Sequence, residues 1–65
     1  MTYFVDITSA TSETVYLYEG RSHNKSVEAL NLAIALMKSV KGTGTLWHYN
    51  ADSRGNCHFL NGEIR

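Results

Sequence analysis

The sequence predicts an α+β domain in which two β-hairpins form a mainly antiparallel four-stranded sheet and one α-helix packs on one face of that sheet. Three observations predict it. One long segment with helical periodicity occupies the middle of the chain. Two short runs with alternating side-chain character precede it, and two more follow it. The predicted order is therefore ββαββ, and the 65 residues form one domain spanning residues 1–65.

The four strands are predicted from runs rich in β-branched and aromatic residues, which favour extended structure. The first hairpin joins Tyr3–Thr8 to Thr14–Glu19 through a small polar connection. The second joins Thr45–Tyr49 to Cys57–Asn61 through a polar loop over residues 50–56. The end of the chain is expected to form a turn and then to fray.

The helix is predicted from Lys25 to Lys41. Ser22 or Asn24 is expected to cap its N-terminus, because either side chain accepts a hydrogen bond from a free backbone N–H group. Gly42 is expected to supply the left-handed residue that ends many helices. The helix face toward the sheet is expected from apolar residues three or four positions apart, namely Val27, Leu30, Ile34 and Met37.

The apolar arc of this helix is wider than one sheet contact needs. It continues past the stripe that faces the sheet through Ala29, Leu36 and Leu32. In one interpretation, flanking loops and tyrosine side chains cover the two leucines, and single exposed leucines are ordinary in any case. In the other, the exposed helix surface mediates a homodimer.

The two faces of the sheet are assigned from the cost of burying a carboxylate. Because an unpartnered Asp6 is costly to bury, its strand is expected to turn the alternate residues toward the helix. In the second hairpin the bulkier set is expected inside, so that Trp47 opposes Phe59 and His48 opposes His58. The residues expected to face the helix are Tyr3, Val5, Ile7, Val15, Leu17, Trp47, Tyr49, Cys57 and Phe59.

The opposite face of the sheet is expected to carry the partner-binding residues. One helix cannot cover both faces, and a contiguous apolar patch on a small domain usually marks an interaction site. Aromatic side chains are also favoured at protein interfaces. The expected partner-binding residues are Phe4, Tyr16, Tyr18, Leu46, His48, His58 and Leu60.

Charge and composition narrow the function class. Six basic and six acidic residues give a formal net charge of zero, which disfavours a general nucleic-acid binder. The single cysteine, Cys57, excludes an intramolecular disulfide and fits a reducing compartment. The N-terminus lacks the pattern of a signal peptide, and no apolar run is long enough to span a membrane, so a cytoplasmic protein is expected.

The side chains that carry chemistry form no recognisable catalytic or metal-binding motif. His48, Cys57 and His58 are of the types that bind zinc, but strand alternation is expected to point Cys57 away from both histidines. No paired carboxylates are present, and a domain this small leaves little room for a shielded pocket. Gly42 and Gly44 follow the helix, whereas a phosphate-binding turn precedes one. We therefore expect no enzyme activity, no catalytic residues, no cofactor and no metal.

The leading hypothesis is a non-enzymatic protein-binding module, a small regulator or inhibitor of a larger protein. It would act through the aromatic and aliphatic sheet face or through an edge strand, against a larger protein or a second copy of itself. Small phage-encoded host modifiers offer an analogy of size and fold class alone. The alternatives are a single-stranded nucleic-acid binder that uses the same face, and a homodimer with a histidine–cysteine metal site.

Overall fold

The computed structural model describes all residues from 1 to 65 and confirms an α+β fold with one helix on an antiparallel sheet. The sheet has five strands in the order β2-β1-β3-β4-β5, rather than the four expected. The extra strand forms because the C-terminal residues pair with the end of β4 instead of fraying. The elements are β1 Tyr3–Ser9, β2 Thr14–Gly20, α1 His23–Ser39, β3 Gly44–Tyr49, β4 Arg54–Leu60 and β5 Glu63–Ile64.

Both ends of α1 are closed by local hydrogen bonds. Ser22, one of the two expected caps, accepts a hydrogen bond from the Lys25 backbone N–H at 3.2 Å. At the other end, the left-handed residue is Lys41, with φ of 53°, rather than the expected Gly42. The Gly42 N–H donates to the Met37 carbonyl at 2.8 Å, which places Gly42 one residue beyond the left-handed position.

The core lies between α1 and the central strands. Its buried apolar side chains are Val5, Ile7, Ala33, Met37, Leu46 and Phe59, and Leu30 and Ile34 pack against them. This arrangement confirms that β1 turns Val5 and Ile7 toward the helix.

The face of β3 that points toward the helix is the opposite of the one expected. Leu46 lies directly opposite Ile7 and is fully buried, with 0% of its surface exposed. Trp47 lies opposite Asp6 and is 42% exposed on the other face of the sheet. The short aliphatic side chain therefore fills the core, while the aromatic ring, which is larger and carries a polar N–H group, stays partly in water.

A β-bulge in β2 changes the expected face of Tyr18. The register shifts between Val5, which lies opposite Tyr18, and Asp6, which lies opposite Tyr16. Leu17 is thus the extra residue, and the two tyrosines fall on opposite faces instead of sharing one. Tyr18 packs against the core on the helix side, so its assignment to the outer face was wrong.

The second hairpin is longer than expected because its connecting loop closes early. The buried Asn50 side chain accepts hydrogen bonds from the backbone N–H groups of Asp52 and Ser53 at 2.8 and 2.9 Å. β4 consequently begins at Arg54 instead of Cys57, and Trp47 lies opposite Asn56. The expected Trp47–Phe59 and His48–His58 pairs are therefore absent.

Candidate functional site

The outer face, which we define as the side of the sheet away from α1, carries three rows of side chains across β2, β1, β3 and β4. Residues directly opposite in an antiparallel pair share a face, so the strand register defines each row. The first row runs from Glu19 through Phe4 and Tyr49 to Arg54. The Phe4 and Tyr49 rings lie 6.3 Å apart, and the Arg54 guanidinium lies 5.8 Å from the Tyr49 ring centroid. The acidic Glu19 and the basic Arg54 therefore stand at opposite ends of this row, with two aromatic rings between them.

The second row contains Tyr16, Asp6, Trp47 and Asn56. Asp6 lies between the two aromatic residues, and its Oδ1 atom is buried without a hydrogen-bond partner. Burial raises the pKa of Asp6 above its ordinary value, and the nearby negative charge of Glu19 raises it further. A half-buried carboxylate without a donor is the most unusual chemical feature of this face.

The third row is polar and consists of threonines and one histidine. The Thr8 and Thr14 hydroxyls lie 3.4 Å apart, and the Thr45 hydroxyl lies 3.1 Å from Nδ1 of His58. Apolar character on the outer face is therefore concentrated in the first two rows and does not extend over the whole sheet.

Four of the seven expected partner-binding residues lie on the outer face, namely Phe4, Tyr16, His58 and Leu60. The other three, Tyr18, Leu46 and His48, lie on the helix side. The assignment missed Trp47 and Tyr49 because it placed β3 with the opposite face toward the helix. Asp6 was expected on the outer face but was not counted among the partner-binding residues.

A second candidate surface is an apolar cleft between α1 and the edge strand β2. We call it the α1–β2 groove. It has a volume of about 160 Å³ and is lined only by apolar side chains. Leu17, the extra residue of the bulge in β2, is the side chain that this strand contributes to the lining. The lining residues are Leu17, Ala29, Leu32, Ala33 and Leu36.

The outermost side chains of the α1–β2 groove are not covered by loops or tyrosines. Leu32 is 70% exposed and Leu36 is 48% exposed. Ala29 and Ala33 form the floor on the helix side, because small side chains there leave space between the larger ones. The apolar arc of the helix sequence had indicated this surface through Ala29, Leu32 and Leu36, and the structure adds Leu17 and Ala33.

The histidines and the cysteine are distributed over different parts of the molecule. His48 and Cys57 share the helix side of the sheet, while His58 lies on the outer face, so Cys57 does not point away from both histidines as expected. His23 pairs with Asp52, with Nε2 and Oδ2 separated by 2.7 Å. No group of three or more histidine, cysteine, aspartate or glutamate side chains is arranged to hold a metal ion.

Comparisons with known proteins returned no match to a family model, to a curated protein or to a solved structure. α1 falls short of the length and apolar character that a membrane-crossing helix requires. Function is therefore inferred from the geometry of the two surfaces.

Proposed function

We propose that this chain is a non-enzymatic protein-binding module that associates through the α1–β2 groove, and that its first partner is a second copy of itself. The observation that carries this proposal is the exposure of Leu32 and Leu36 beside a cleft with no polar lining residue. Association is favourable when it removes exposed apolar surface of this kind from water.

The size of the groove suits one large apolar side chain. Its volume of about 160 Å³ compares with the roughly 150 Å³ of an engineered apolar cavity that binds benzene. Leu32 and Leu36 lie one helical turn apart on the same side of α1, so each copy presents both projecting leucines and a cleft to receive them. A two-fold arrangement, with Leu32 of each chain in the groove of the other, uses the same surface on both partners.

The small core favours association as well. Only eight of the 65 residues are buried, and domains of this size commonly gain stability from a partner subunit. The zero net charge adds no general repulsion between two copies. Self-association would therefore both cover the exposed leucines and stabilise the domain.

The bulge in β2 favours docking through side chains over the addition of a partner's strand to the edge of the sheet. β2 is an edge strand and offers unpaired backbone groups. A bulge at Leu17, however, interrupts the regular spacing that a long added strand would need. Leu17 itself lines the groove, which supports docking into the cleft.

Photo-crosslinking of the purified protein tests this proposal. With a photoreactive amino acid in place of Leu32, we expect a two-chain product whose crosslinked peptide contains groove residues. The matched control carries the same group at Asn31, which is exposed on the same helix but does not line the groove. Equal yields of two-chain product from both positions would contradict the proposal.

A further inference from the structure

We propose that the outer face binds an arginine side chain of a partner protein, with the guanidinium group held at the Asp6 carboxylate between the Tyr16 and Trp47 rings. This site lies on the opposite side of the sheet from the α1–β2 groove and does not depend on self-association. It would give the domain a second, charge-selective contact.

Asp6 occupies a central position on the outer face. β1 lies between β2 and β3, so Asp6 has a strand on each side, with Tyr16 directly opposite on one and Trp47 directly opposite on the other. Its Oδ1 atom is buried and accepts no hydrogen bond. A side chain of a partner would therefore reach this carboxylate at its other oxygen, Oδ2, which is not buried in the same way and also accepts no hydrogen bond.

The aromatic side chains on either side of Asp6 favour a cation. Aromatic rings attract cations at their faces, and the indole of tryptophan does so most strongly. A guanidinium group is planar, stacks on aromatic rings and donates charge-assisted hydrogen bonds to a carboxylate oxygen. Among protein side chains, arginine therefore complements both the rings and the carboxylate at this position.

The charge around Asp6 on the outer face is negative. Glu19 lies in the neighbouring row on β2 and adds a second negative charge close to Asp6. The basic group on this face, Arg54, lies on β4 at the far end of that row and contacts Tyr49. Asp6 and Glu19 together favour a cation and repel a phosphate, so this part of the face selects a basic protein segment over a nucleic acid.

An NMR titration tests the inference with a defined probe. The probe is the blocked peptide acetyl-Gly-Arg-Gly-amide, and the control peptide carries citrulline, which has nearly the same shape without the charge. We expect the arginine peptide to shift the amide signals of Asp6 and Tyr16 and the indole signal of Trp47. The citrulline peptide should leave these signals in place.

Two variants distinguish a specific role of the Asp6 carboxylate from a general effect of negative charge. Asp6→Asn keeps the shape of the side chain and should weaken binding of the arginine peptide at least fivefold. Glu13→Gln removes an exposed carboxylate from the β1–β2 turn and should leave the affinity unchanged. The amide spectrum of each variant reports whether it is folded before peptide is added.

Three results would overturn the inference. The first is an equal response to the arginine and citrulline peptides. The second is unchanged affinity in a folded Asp6→Asn variant. The third is binding of a short oligothymidylate to Tyr16 and Trp47 while the arginine peptide causes no shift, which would identify the outer face as a surface for single-stranded nucleic acid.

Discussion

Tyr18 and Ser22 are joined across the connection between β2 and α1, because the Ser22 backbone N–H donates to the Tyr18 hydroxyl at 2.9 Å. Tyr18 packs against the core, and the Ser22 side chain caps the helix. One side chain thus fixes the end of the bulged strand to the start of α1. These two elements form the walls of the α1–β2 groove, so this hydrogen bond helps to hold the groove in shape.

Tyr18→Phe is expected to destabilise the domain by about 1 kcal/mol, because the partly buried Ser22 N–H loses its acceptor. Urea unfolding followed by Trp47 fluorescence measures the change. Tyr16→Phe is the matched control, since Tyr16 is exposed on the outer face and no hydrogen bond of its hydroxyl is observed. Equal destabilisation by the two variants would show that the Tyr18 hydroxyl has no special role.

Leu46→Ala is expected to cost about 2–5 kcal/mol, because it leaves a cavity in the fully buried core. Leu60→Ala removes the same atoms from a side chain that is 44% exposed and should cost less than about 1 kcal/mol. Urea unfolding of both variants gives the comparison. A Leu60 variant that is the less stable of the two would reverse the face assignment of the second hairpin.

The main elements could be predicted from the sequence because each carries a strong local pattern. The helical spacing of Val27, Leu30, Ile34 and Met37 predicted α1, with both ends two residues later than the observed His23 and Ser39. Ser22 was one of the two capping residues that the sequence offered. The face of β3 could not be predicted, since Leu46 and Trp47 both belong to apolar sets and the larger set was placed inside. In the structure, the volume beneath the helix accommodates the leucine, and the larger ring lies on the outer face.

Gly44→Ala is expected to destabilise the domain by about 1–3 kcal/mol, because a Cβ atom at this position would overlap the Thr8 carbonyl oxygen and lie 3.2 Å from the Ser9 Cα. Both of those atoms belong to the backbone of β1, which cannot move without disturbing the sheet. Gly55→Ala is the control, since a Cβ atom there meets nothing within 4 Å. Thermal unfolding of the two variants distinguishes close approach from a general effect of replacing glycine.

Asp6→Asn is expected to stabilise the domain at neutral pH, by no more than about 1 kcal/mol. Burial raises the pKa of Asp6 in the folded state, so the wild type loses stability as pH rises through that raised value. Below the ordinary value of 3.8 the carboxyl is neutral in both states, and the difference between variant and wild type should disappear. Urea unfolding between pH 3 and pH 7 checks the sign, and a gain that is constant with pH would contradict it.

The candidate sites were only partly predictable, for reasons of geometry. The exposed leucines of α1 were visible as an apolar arc, and alternation placed Leu17 toward the helix. Neither pattern shows that these side chains leave an open cleft between them, and alternation does not reveal the bulge at Leu17. The same bulge separates Tyr16 from Tyr18. The aromatic neighbours of Asp6 could be recognised only once the register placed Trp47 opposite that carboxylate.

Size-exclusion chromatography with light scattering, over a concentration series, tests association through the α1–β2 groove most directly. We predict that the wild type forms a dimer, that Leu32→Gln is a folded monomer, and that the matched outer-face variant Leu60→Gln remains a dimer. A wild type that stays monomeric at millimolar concentration, or a Leu32→Gln variant that dimerises as well as the wild type, would contradict the account.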